Sequence, residues 1–118
     1  MQRSEILLIA VHNAWCAVSL SLGESPIPLS DIPRWRRDAL EHTIGFWESW
    51  SNYDELELQA LCAATQLAWM QYHRRHRWDH TPLESFAILP FTQRRKLIGM
   101  LKAYVLVREH LGPPDFTA

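Results

Sequence analysis

Residues 6–23 carry no formally charged side chain, and no other stretch limits the possible folds of this chain so strongly. An uncharged segment of that length raises the question of a signal sequence or a membrane span. Its uninterrupted apolar run covers only 6–11, after which His12, Asn13, Ser19 and Ser21 intervene. A spanning helix needs roughly 20 mainly apolar residues and a secretory core is longer than this run, so neither is expected and no membrane partner is implied. The segment is expected to be a buried helix over 4–22, with Ser4 capping its start and Gly23 closing its end in a left-handed conformation. Ile6, Ala10, Asn13, Ala17 and Leu20 form one stripe, and Leu7, Val11, Trp15, Val18 and Leu22 another. A helix apolar on two faces is central to a bundle or shared with a second subunit, so a homodimer through this helix is expected.

Breaks divide the rest of the chain. Residues 23–30 hold two prolines and read as a loop. Asp31 resembles an N-cap with Pro33 in the first turn, and the helix it opens should reach about Trp47, burying Trp35, Leu40, Ile44 and Trp47. After a break over 49–52, Asn52 and Glu55 have capping-box spacing. The following helix should run to about Arg75, with Leu56, Ala60, Ala63, Leu67 and Met70 on one side. Residues 78–89 form an irregular connector. A last helix starts near Pro90, turns Leu97, Leu101, Tyr104, Val105 and Leu111 inward, and ends at Gly112-Pro113-Pro114. Strand-like alternation is absent except for a short candidate at 85–88. The expected fold is mostly α, a single-domain bundle of about four helices over 1–118 with loose ends at 1–3 and 113–118. At 118 residues there is room for one core and not two. Cys16 and Cys62 sit in apolar helical patterns without ligand spacing, which favours a reduced, cytoplasmic setting.

Positive charge is concentrated. The net charge is −1, yet nine of twelve basic residues fall in three clusters. These are Arg34, Arg36 and Arg37 around Trp35; Arg74, Arg75 and Arg77 before Trp78; and Arg94, Arg95 and Lys96. The last cluster opens a helix, where cations oppose the helix dipole and free N–H groups suit a phosphate or carboxylate. The second closes a helix, where cations are favoured in any case, and Asp31 and Asp38 can neutralise the first. Trp35, Trp69 and Trp78 can stack on a base or fill the core.

Spacings retained along the chain add a resemblance. Trp69 precedes Trp78 by eight intervening residues, and His80 precedes Phe86 by six positions and Leu89-Pro90 by nine and ten. Upstream stand His12, Leu22-Gly23-Glu24 and Asp31-Ile32-Pro33-Arg34-Trp35-Arg36-Arg37. Together these resemble the RyR domain, the repeat named for ryanodine receptors and found also as small stand-alone proteins of bacteriophages and prophages. The resemblance runs from about His12 to about Leu111 and implies a mainly helical fold and a phage origin. It does not imply channel activity. Gln66 stands where the family has histidine, Thr81 splits the His-Pro pair, and only Asp79 separates Trp78 from His80 where the family carries a Gly-Trp…Lys-Asp loop. A ligand role belonging to that loop is therefore not carried over.

No catalytic signature is present: there is no glycine-rich phosphate loop or nucleophile elbow, and neither cysteine has an evident activating histidine. His12 reads as a packed, hydrogen-bonded core histidine. His73, His76, Asp79 and His80 have partial zinc spacing, but Pro82 interrupts the helix and no cysteine assists, so no metal or cofactor is expected. The expectation is a non-enzymatic phage or prophage protein that engages a host protein with an acidic surface, such as an inhibitor of a CRISPR-type defence. The alternative is a binder of nucleotides or other phosphorylated small molecules, and a third is nucleic-acid binding. The residues carrying it would be Arg74, Arg75, Arg77, Trp78, His80, Arg94, Arg95 and Lys96, with a secondary patch at Arg34, Trp35, Arg36 and Arg37. All of this requires the clusters to converge on one surface.

Overall fold

The uncharged N-terminal stretch forms helix α1, Arg3–Ser21, in a computed structural model that describes residues 1–49, 58–76, 89–112 and 114. A 3-10 turn, Leu29–Asp31, leads to α2, Arg34–Glu48. Helices α3, Leu58–His76, and α4, Phe91–Leu111, complete a mostly helical bundle, with no strand among the described residues. Side chains at 58–59 and 72–76 are outside that description, as is the expected capping box at Asn52.

Helix α1 is long and apolar enough to cross a membrane. It packs chiefly against α4, burying Leu7, Leu8, Val11, His12 and Ser19. Its other stripe faces outward: Asn13, Ala17 and Leu20 are exposed. Ser4 is not the cap. The Glu5 and Ile6 N–H groups both donate to the Gln2 carbonyl, which puts Ser4 inside the first turn. The C-terminal expectation holds. Gly23 has φ of 80°, and the Gly23 and Glu24 N–H groups donate back to Leu20 and Ser19, the paired bonds of a Schellman ending. Gly99 lets the two long helices approach, because a Cβ there would lie 2.9 Å from Val18 Cγ2.

Asp31 closes the 3-10 turn instead of capping α2, whose N-cap is Pro33. Leu40, Ile44 and Trp47 are buried as expected, whereas Trp35 is 37% exposed. On α3 the buried face is not the expected one. Leu61, Cys62, Thr65 and Gln66 face inward, while Ala60, Ala63 and Leu67 are exposed.

The reason is a reciprocal clasp between α2 and α3. Trp47 Nε1 donates to Thr65 Oγ1 at 2.8 Å, and Trp69 Nε1 donates to Thr43 Oγ1. Each threonine hydroxyl in turn donates to the carbonyl four residues back, Leu61 and Ala39, at 2.8 Å. Every polar atom in the clasp is satisfied without water, as a buried site requires.

On α4, Leu97, Leu101 and Tyr104 are buried as expected, but Leu111 is 38% exposed. The buried stripe also includes Lys96 and Arg108. Arg108 Nη1 donates to Tyr104 Oη and to the Trp47 carbonyl. Tyr104 Oη donates to Glu48 Oε1 at 2.8 Å, and Arg3 grips both oxygens of Glu48 at 3.1 Å. Burial, reinforced by the Glu48 carboxylate, raises the Tyr104 pKa, so the phenol stays a donor. This network ties the start of α1 to the ends of α2 and α4.

Candidate anion-binding groove

Two of the three basic clusters meet, through one member each, on an indole that belongs to neither. The Arg36 guanidinium lies 3.9 Å from the centroid of the Trp15 ring, and Lys96 Nζ lies 4.8 Å from the same centroid. Trp15 sits on the inward stripe of α1, so it is held against both the start of α2 and the second turn of α4. Cations over an indole gain from its quadrupole, by about 0.5–2 kcal/mol each.

The two cations differ in what neutralises them. Lys96 is 6% exposed, and its Nζ lies 2.6 Å from Glu24 Oε1. That hydrogen bond pulls the Glu24 carboxyl below its ordinary pKa. Arg36 has no carboxylate partner among the described residues, and its Nη2 lacks both solvent contact and an acceptor. Burial brings its pKa down to about 10, which still leaves it charged at neutrality. One unmatched positive charge therefore remains beside Trp15.

A groove of about 290 Å³ opens at this point, walled by His12, Trp15, Trp35 and Arg36 and by the segment around Pro26 and Ile27, with Glu24 also lining it. The volume is at the small end of the range for small-molecule sites, about 300–1,000 Å³. His12, 2% exposed, pins the segment through Nε2, 2.9 Å from the Ile27 carbonyl. Its Nδ1 has no partner among the described residues.

His12 also stands 3.3 Å from Cys16 Sγ, so a cysteine–histidine pair exists that sequence reasoning missed. The four-residue spacing on one helix face was its signal. The arrangement does not activate the thiol. Nε2 must carry hydrogen to bond the Ile27 carbonyl, which leaves it no lone pair for the Cys16 proton. Burial pushes the Cys16 pKa up, only partly offset by Arg36. Burial also raises the Cys62 pKa, to about 11.

The remaining sequence candidates are dispersed or locally paired. Arg34 lies 3.6 Å from Asp38 and Arg37 3.1 Å from Glu41, both one turn along α2. Arg94 is partly buried, with its Nε unpartnered among the described residues. Arg95 is exposed and sits 5.6 Å over the Phe91 ring. Lys96 does not belong to an outward patch, because it shares the i, i+4 stripe of Met100 and Tyr104 and follows them inward. Arg74 and Arg75 lie on α3 with side chains outside the described residues, and Arg77, Trp78 and His80 fall outside them entirely, as do Asp79 and the expected connector before Leu89. Among the described residues no three His, Cys, Asp or Glu side chains gather into a metal site.

The Glu24–Lys96 pair makes the segment pH-sensitive in a defined direction. A lowered folded-state pKa contributes stability above the ordinary glutamate value, and that contribution is lost as pH falls through the lowered one. The stability difference between the chain and its Glu24→Gln variant is expected to be full at neutrality, to shrink below about pH 4.3, and to vanish in stronger acid. Urea denaturation across that range measures it.

No protein-family model, curated protein or solved structure matches this chain.

Proposed function

We propose that this chain is a binding protein rather than an enzyme, and that it holds a small organic anion in the groove between α1, residues 24–33 and the start of α2. One observation carries the reading: the half-buried Arg36 guanidinium is seated on Trp15, with its Nη2 withdrawn from water and no carboxylate beside it among the described residues. Removing a cation from water is costly unless a counter-charge meets it. A binding site is where such an uncompensated cost is tolerated, since the ligand supplies the missing charge. Trp35, Pro26 and Ile27 offer an apolar wall for the ligand's body. The restrained Cys16 thiol supports binding over nucleophilic chemistry.

The test is a thermal-shift and calorimetric screen of small aromatic and phosphorylated anions at millimolar concentration. A ligand that binds only the folded state raises its midpoint. Binders are expected among flat monoanions, and the Arg36→Met variant should lose them. No shift with any anion would overturn the reading.

A second reading keeps the host-protein partner, within a phage or prophage protein of the RyR type acting against a defence system in the host cytoplasm. Its support is the exposed Arg95 over the exposed Phe91, an arginine–aromatic pair of the sort that anchors interfaces. Charge reversal at Arg95 alone is the right probe, because altering Lys96 would break the Glu24 pair. Affinity capture from a bacterial host should then lose a protein that the parent chain retains. Identical captured sets would remove this reading.

A further inference from the structure

Helix α1 is more apolar than its own fold uses. It is long and apolar enough to cross a membrane, yet only Leu7, Leu8, Val11, His12 and Ser19 of its 19 residues are buried. A helix that is apolar all round is ordinarily covered all round. Here the outward side stays in water: Ile9 is 36% exposed and Leu20 64%, with Asn13 and Ala17 exposed between them.

The spacing on that side is specific. Ile6, Ile9, Asn13, Cys16 and Leu20 follow one another by three, four, three and four positions, the a and d pattern of a helix that packs along another helix. None of the five is charged, and Asn13 stands in the middle. An amide in an apolar seam costs free energy unless a polar group meets it. A carboxamide both donates and accepts, so two copies of the same amide satisfy each other. A single asparagine in such a seam also fixes its register.

These features suit a second copy of the chain better than a bilayer. A helix lying in a membrane surface carries lysine or arginine along its polar face, and α1 has neither after Arg3. We infer that two copies pair through the outward side of α1, antiparallel, about a two-fold axis that passes between their Asn13 side chains. Position 13 is midway between 6 and 20, so the register that sets Ile6 of one copy against Leu20 of the other also brings the amides together. Antiparallel order places the positive end of each helix beside the negative end of the other and keeps the two Glu5 carboxylates apart. A helix of 19 residues is about 28 Å long, and one side of it falls short of the roughly 800 Å² per partner of a standard interface. The association is therefore weak and reversible, and each monomer keeps its own core.

Sedimentation velocity of the full chain, over a concentration series reaching about 1 mM, should show a monomer–dimer equilibrium. Asn13→Asp and Asn13→Lys should each weaken it at least about tenfold, because like charges would meet on the axis. An equimolar mixture of the two variants should associate again, a rescue that only self-pairing at position 13 produces. Both changes fall at an exposed position, so denaturation midpoints should match the parent. Orientation is read by air oxidation in a Cys16→Ser background. Asn13→Cys copies should link, and Leu20→Cys copies should not, since antiparallel order holds them about 20 Å apart along the axis. Efficient linking through Leu20→Cys would overturn that order. A monomer at every concentration, or a dimer indifferent to both charges, would overturn the pairing. So would flotation with phosphatidylcholine–phosphatidylglycerol vesicles in place of self-association, which would assign this side of α1 to a lipid surface.

Discussion

Replacing Trp47 with alanine is expected to cost about 3–5 kcal/mol, the usual penalty for emptying a large aromatic site in a core. That is a large share of the roughly 5–15 kcal/mol available to a domain of this kind, so the variant should be largely unfolded on mild heating. The expectation rests on position. Trp47 is 1% exposed, its ring centroid lies 5.1 Å from that of Tyr104, and its Nε1 reaches across to Thr65. It therefore joins α2 to both α3 and α4, and its removal leaves a cavity at their common junction. Trp47→Phe separates the contributions. It keeps a ring against Tyr104 and gives up the bond to Thr65, whose hydroxyl still donates to the Leu61 carbonyl; a loss of about 1–2 kcal/mol is expected. Urea denaturation followed by far-ultraviolet dichroism measures both. A penalty near 1 kcal/mol for the alanine variant would mean that this residue is not at the centre of the core.

Arg36→Met should have the opposite pattern, with stability unchanged or raised and anion binding reduced by at least about tenfold, the effect of one charge-assisted hydrogen bond. The native guanidinium is partly buried, with its Nη2 withdrawn from water, and burial lowers its pKa to about 10. The attraction to Trp15 returns only about 0.5–2 kcal/mol, and no carboxylate among the described residues adds to it. Methionine has similar length, no charge to desolvate, and a sulfur that packs well on an aromatic ring. Comparing denaturation midpoints with calorimetric titration of benzoate tests both halves of the prediction. A variant that lost stability and still bound the anion would place the ligand elsewhere and make Arg36 a structural residue.

Much of the helical framework was legible from local rules. The inward stripe of α1 follows from the spacing of Leu7, Val11, Trp15 and Val18. Its ending follows from Gly23, because only that residue adopts positive φ there without a Cβ penalty. The termini of α4 follow from Pro90 and Gly112. The misplaced face of α3 had a signal as well. Thr43 and Trp47, like Thr65 and Trp69, are four residues apart, and that repeated spacing is what permits the reciprocal clasp. Leu67 is more apolar than threonine and still lies outward, because the threonine that satisfies an indole N–H takes the inward face. Lys96 had a signal too, lying on the stripe of Met100, Tyr104 and Arg108.

What sequence determined by itself was the set of helices, most of their ends and the segregation of positive charge into clusters, since these depend on neighbours within a turn or two. Whether Lys96 and Arg36 would be neutralised was decided only by tertiary structure. Lys96 meets Glu24 across 72 positions, and Arg36 meets Trp15 only because α1 and α2 pack together. Electrostatic pairing falls off steeply with distance in space and is indifferent to distance along the chain. The cation left on Trp15 without a carboxylate, and with it the groove, therefore appears only once the helices are in place.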